Sequence, residues 1–156
     1  MGTTATKPRS KEREAPPDAS SVLGGKRVLG AEVKSNLEMH RLIEAGFPFQ
    51  TIRQTACLFQ LPERKLAEVV GISRSTFDRR RDRARLNADE SERMYRVAHA
   101  FAAALAVFDS QEKAARWFDE PNRALASEKP LNMLRTEAGA REVENVLGRL
   151  VLGGYS

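Results

Sequence analysis

Cysteine is almost missing from this 156-residue chain: Cys57 stands alone, so no internal disulfide can form. Its place in an apolar helical pattern suits a buried thiol in a reducing, cytoplasmic setting. No apolar run approaches the roughly 18 residues a membrane-spanning helix needs, which excludes a membrane protein of that kind. The amino terminus has no apolar segment either and does not fit a secretory signal. Aromatic residues make up 6% of the chain, against 41% hydrophobic overall, so the core is expected to be aliphatic and alanine-rich. The two histidines, His40 and His99, have no Cys or acidic partner at metal-ligand spacing and are assigned structural places. Neither a Ser/His/Asp set, a carboxylate pair, nor a Gly-rich phosphate loop stands out. No enzyme, metal or cofactor is expected. Strand patterns and repeats are also absent, leaving an all-α fold.

What the chain does have is positive charge, unevenly placed. Of the net +5, residues 62–86 alone carry eight Lys/Arg against four Asp/Glu. Residues 1–27 lean basic, 28–61 balance, and 87–156 lean acidic with nine basic and eleven acidic groups. The front of the molecule therefore suits a polyanion and the rear does not. Residues 1–27, with Pro8, Pro16, Pro17, Gly24 and Gly25 and few large apolar groups, are expected to form a flexible basic tail.

The charge coincides with a helix, tight turn and helix. Pro62 and Glu63 suit a helix start, and Leu66, Val69 and Val70 give it an apolar face. Small Ala67 stands four residues before Gly71, which can take the left-handed conformation that stops a helix; Ile72 follows. Ser73 can cap a second helix, and Phe77 is the one apolar residue within it. That second helix is expected to enter a DNA groove. Ser73, Arg74, Ser75, Thr76, Asp78 and Arg79 face base edges, while Arg80, Arg81, Arg83 and Arg85 extend toward phosphates. Arg80 occupies the place where such motifs usually bury an aliphatic residue, leaving Phe77 as the anchor.

Around this motif, the spacing of Val33, Leu37, His40 or Arg41, and Glu44 predicts a helix over 33–45 ended by Gly46. Phe49, Ile52, Ala56 and Phe59 predict another over 48–59. Together they make residues 28–86 one helix-turn-helix domain. After it, Asn87 and Glu90 hold the spacing of a capping box. The longest helix follows, with Met94, Val97, Ala98, Phe101, Leu105 and Phe108 as its stripe, suited to be a bundle spine or a dimer seam. Asp109 or Ser110 caps a helix to Phe118; Pro121 and Pro130 open short ones. In the last helix Val143, Val146, Leu147, Leu150 and Val151 form the expected buried face, with Gly148 permitting close approach. Residues 87–156 are thus a small helical bundle.

The ordered set Trp117-Phe118, Pro121-Asn122, Leu125, Pro130-Leu131, Leu134, Gly139, Val143, Leu147, Leu150 and a terminal Gly-Tyr-Ser resembles the toxin-binding domain of the Xre/MbcA/ParS antitoxins. The segment from Gly71 to Thr76 with its Arg run is similar to the Xre-like helix-turn-helix that these antitoxins carry. The resemblance covers residues 30–156 and implies a bacterial, cytoplasmic, homodimeric type II antitoxin. Such a protein would bind a RES-domain toxin that destroys NAD, and would repress its own operon through operator DNA. It further implies that Arg149, Leu152, Gly153, Gly154, Tyr155 and Ser156 plug the toxin's NAD pocket; Gly154 departs from the small aliphatic that relatives often have. The alternative is a stand-alone helix-turn-helix repressor whose carboxy-terminal bundle dimerises or senses a ligand.

Overall fold

The computed structural model describes residues 17–81 and 84–153, and among these no strand occurs. The helices in chain order are α1 (Ala19–Val22), α2 (Gly25–Leu29), α3 (Asn36–Ala45), α4 (Gln50–Phe59), α5 (Glu63–Val69), α6 (Arg74–Arg80), α7 (Ala88–Phe108), α8 (Gln111–Asp119), α9 (Pro130–Met133) and α10 (Glu137–Gly153). A 3₁₀ turn, Arg123–Leu125, lies between α8 and α9.

Polar residues set most of the starts. Side-chain oxygens of Asp18, Ser35, Ser73, Asn87 and Ser110 accept from backbone N–H groups in the first turns of α1, α3, α6, α7 and α8. At α7 the box is reciprocal, Glu90 N donating to Asn87 Oδ1 at 2.8 Å and Asn87 N to Glu90 Oε2 at 2.9 Å. α7 is the spine. It packs against α1 and α3 in the front half, against α8 and α10 in the rear, and touches α4 between them. Phe59 of α4 sits 4.4 Å from Phe101 of α7 and 5.0 Å from Phe118 of α8, ring centre to ring centre. One aromatic knot thus joins front to rear, although aromatics are scarce.

Four expectations need correcting. The expected tail ends before its predicted limit, because Asp18 caps α1 and Val22 and Leu23 are fully buried, with Thr55 Oγ1 donating to the Val22 carbonyl at 3.4 Å. Residues 1–16 lie outside the described residues. In α3 the buried face is Met39 and Ile43, while Leu37 is 57% exposed. Cys57 is exposed, one position off the inward stripe of Ile52, Ala56 and Phe59. The assigned partnerless His99 in fact has Nδ1 2.7 Å from Glu144 Oε1, which ties α7 to α10.

The fifth correction concerns the last helix. Val143, Val146 and Leu147 are buried as expected, but Leu150 and Val151 are 44% and 43% exposed, and Gly148 faces open space. The close approach falls at Gly139, where a Cβ would lie 2.0 Å from the Met133 carbonyl oxygen. Gly139→Ala is accordingly expected to cost about 3 kcal/mol and lower Tm by roughly 10 °C, because backbone must move to admit the methyl. Gly148→Ala is expected to hold or raise Tm, since it relieves only a helix-interior glycine. Thermal melts of the two variants check both.

The loop before α4 is locked onto the start of α7. Phe47 is fully buried, its N–H donates to Ser91 Oγ at 2.8 Å, and its carbonyl accepts from Leu86 N at 2.8 Å. Gly46, at φ 88°, leaves no room for a side chain, because a Cβ would sit 2.1 Å from the Leu86 carbonyl oxygen. Arg85 Nε donates to the Gly46 carbonyl at 2.9 Å, so this arginine braces the loop while the residue stays exposed.

Candidate functional site

The turn between α5 and α6 has a mechanism that the residues dictate. Val70 ends α5; Gly71 takes φ 84°, its N–H donating to the Glu68 carbonyl at 3.0 Å, and Ile72 N donates to the Ala67 carbonyl at 2.8 Å. Those two bonds form a Schellman motif, satisfying carbonyls the helix end would leave bare. Arg93 of α7 adds a cation there, Nη1 donating to the Val70 carbonyl at 3.3 Å. Ser73 then starts α6 by accepting from Thr76 N at 3.2 Å. Leu66, Ala67, Val70, Ile72 and Phe77 are all buried, and Phe77 lies 5.4 Å from the ring of Phe49 in the residues leading to α4. Apolar burial on one side of α6 therefore turns its other side outward.

On that outer side Arg74, Ser75, Asp78 and Arg79 are exposed, at positions one helical turn apart, with Arg81 exposed just beyond. Asp78 accepts from Arg64 Nη2 of α5 at 2.8 Å, so the acidic member of the face also bridges the two motif helices. Ser73 and Thr76 serve the cap, Ser73 Oγ donating to Thr76 Oγ1 at 2.8 Å. Arg83 lies outside the described residues. Arg80 departs from the expected face altogether: its guanidinium turns inward and grips both carboxylate oxygens of Glu90.

Glu90 is a charged side chain only 9% exposed. Burial on its own would raise its carboxyl, but the Arg80 guanidinium and the Asn87 N–H hold it below the usual 4.5. A carboxylate whose folded value is depressed stabilises the fold above its unfolded value, and that contribution is lost as pH falls through the folded one. Glu90→Gln, which keeps a capping acceptor, should therefore melt well below the native chain at pH 7, by about 2 kcal/mol. The gap should close as pH falls below about 4. Melting curves over pH 3–7 read it out.

Toward the end of the chain, α10 runs past its buried residues and presents Leu150, Val151 and Leu152 to solvent, the last 75% exposed. Among the described residues only one other large hydrophobic, Leu37, is comparably exposed. Arg149 and Gly153 are exposed beside them, while Gly154, Tyr155 and Ser156 lie outside the described residues. The motif residues upstream are structural. Phe118, Leu125, Leu131 and Leu134 are buried, and Trp117 is half-buried between Phe108, 5.9 Å away, and Phe118, 5.1 Å away. Asn122 pins the corner, its Oδ1 accepting from Ala124 N and its backbone pairing with Glu128.

Two features of these ends escaped the sequence. The Arg80–Glu90 pair was visible only as two separate oddities, a misplaced arginine and a capping glutamate. The solvent exposure of Leu150 and Val151 broke the helical stripe without any change in residue type.

Comparison with known proteins agrees with this geometry. Residues 38–99 match the antitoxin Xre-like helix-turn-helix domain, and residues 103–151 match the antitoxin Xre/MbcA/ParS C-terminal toxin-binding domain. The two matches meet within α7, some way past the boundary expected after residue 86. Similar whole proteins are the antitoxin Xre of Pseudomonas putida, 34% identical over 78% of this chain and 76% of its own, and that of Yersinia enterocolitica, 34% identical over 73% and 78%. The antitoxin Xre of Photorhabdus laumondii is 28% identical over 81% of this chain and 87% of its own. With both domains matched in order and relatives aligned over most of its length, this chain belongs to the Xre family of antitoxins, non-enzymatic proteins that join a helix-turn-helix to a toxin-binding domain.

Proposed function

We propose that this antitoxin neutralises a RES-domain toxin that degrades NAD, covering the toxin's active site with the end of α10 and the residues after it. The observation that carries this is the exposed apolar end of α10. A helix that leaves Leu150, Val151 and Leu152 in water at the close of a toxin-binding domain gains most by inserting them into another protein's cleft. The helix is already formed, so little ordering entropy is lost when it docks. Arg149, Gly153, Gly154, Tyr155 and Ser156 complete the plug.

The same protein represses its own operon as a homodimer, with α6 in the major groove. Arg74, Ser75 and Arg79 read base edges and Arg81 and Arg83 meet phosphates; Asp78 adds an acceptor on the same face. Two copies would read two half-sites, as a pseudo-palindromic operator requires.

Co-expression with the adjacent reading frame tests the assignment. A RES-type product should arrest growth and deplete NAD alone, and do neither when this chain is present. It should also co-purify with the chain. A chain that binds DNA upstream of its own gene but neither rescues growth nor retains the neighbouring product would be the stand-alone repressor.

A further inference from the structure

Arg80 is the last residue of α6, and Glu90 stands in the first turn of α7. Arg80 Nη1 donates to Glu90 Oε2 at 2.8 Å and Nη2 donates to Oε1, a forked pair on one carboxylate. The same Oε2 accepts from Asn87 N, so one carboxylate both caps α7 and anchors α6. Side-chain exposure is 22% for Arg80 and 9% for Glu90. The guanidinium keeps three further N–H groups, but with its side chain only 22% exposed and held on Glu90 it has little room to meet a phosphate. Swinging it outward would strand a buried carboxylate, at a cost larger than a surface phosphate interaction returns.

The location gives the pair its significance. α6 is fixed at its start by the Schellman turn and the Ser73 cap, and in its middle by Phe77. At its far end the pair with Glu90 joins it to α7, while Asp78, two residues earlier, joins it to Arg64 of α5. α7, the helix so gripped, continues without a break into the region matched to toxin binding. Arg80 also stands where an aliphatic side chain would ordinarily dock this end of the helix, so the ion pair takes over that docking.

We propose that Arg80 is a positioning residue for operator recognition and does not itself touch DNA: by clasping Glu90 it sets the angle at which α6 presents Arg74, Ser75 and Arg79. This rests on the assignment of α6 to DNA.

Fluorescence anisotropy with two labelled duplexes of equal length tests it, one from upstream of the chain's own reading frame and one of scrambled sequence. Both are titrated across a range of salt with the full chain and with Arg80→Met, Glu90→Gln and the double variant Arg80→Met with Glu90→Leu. Arg80→Met is expected to lose about tenfold in preference for the upstream duplex. Its salt slope on the scrambled duplex should match the native one, whereas removing a phosphate-bound cation lowers that slope by about 0.9. The double variant, with an apolar pair in place of the ionic one, should recover the preference to within about threefold. A slope lowered by about 0.9 in Arg80→Met would put Arg80 on a phosphate and overturn the proposal. So would native preference in all three variants, which would leave the pair with a role in stability alone. Should Arg80→Met fail to fold, Glu90→Gln decides, since it keeps the cap. Reduced preference with a slope at or above native supports the clasp, and native preference refutes it. A native chain that binds both duplexes alike removes the DNA assignment of α6 itself, and the positioning role with it.

Discussion

A chain truncated after Leu152 should fold and bind DNA like the intact protein, yet leave cells expressing the toxin as depleted of NAD as cells with no antitoxin. The truncation removes Gly153, Gly154, Tyr155 and Ser156, of which only Tyr155 has a large side chain. Central aromatic anchors are the residues whose loss costs an interface most, so a drop of about 4 kcal/mol is expected, roughly a thousandfold in Kd. The fold should not notice, because the last buried residues of α10 are Val146 and Leu147, well before the cut. Leu152→Asp is a subtler probe of the same end: at 75% exposure it contributes little to the core, but a carboxylate there would be buried unpaired in the complex. Native melting temperature with abolished rescue is the expected signature for both variants. Full NAD protection by the truncated chain would move the toxin interface elsewhere on α10 or α8.

The second large effect is on α6. Replacing Arg74 and Arg79 together with Ala should weaken operator binding by about 4 kcal/mol, taking about 2 for each arginine's hydrogen bonds to a base. Both are exposed on α6, and neither supports the core, so stability should change by less than about 0.5 kcal/mol. Gel shifts on the upstream duplex check this, and toxin rescue in the same variant should be untouched. Unchanged gel shifts would mean that α6 does not read bases. Binding by the native chain should also fall steeply with added salt, because each phosphate that is neutralised releases condensed counterions.

Local chemistry explains which parts of this were legible beforehand. The α5–α6 turn could be read because Ala67, Gly71 and Ser73 each have a conformational reason to stand where they do, and those reasons act within a few residues. The capping box at Asn87 and Glu90 is of the same kind. Failures occurred where a side chain's fate depends on distant packing. Leu150 and Val151 continue the helical period of Val143 and Leu147, but among the described residues nothing buries them past Leu147. Gly148 and Gly139 are alike in sequence, but only the approach of the Met133 carbonyl makes one of them indispensable. Cys57 sits one position from a buried alanine, a rotation of about 100° that periodicity with so short a helix does not fix.

Arg80 shows how the two scales combine. As an Arg in an Arg-rich run it counted toward a cationic face, and as a residue at an inward helical position it looked out of place. The carboxylate of Glu90 reconciles these, supplying the one partner that allows a charge to occupy an aliphatic site. The chain's positive charge is correspondingly less available to DNA than its composition suggests, since Arg80 faces protein.

Isothermal titration of the intact chain into the purified RES-domain product of the neighbouring gene, with NAD hydrolysis followed in the same mixtures, tests the central claim most directly. Binding at nanomolar Kd, with hydrolysis extinguished at the stoichiometric point for the intact chain and persisting with the chain cut after Leu152, is the predicted result. Hydrolysis that continues undiminished in the presence of saturating intact chain would contradict it.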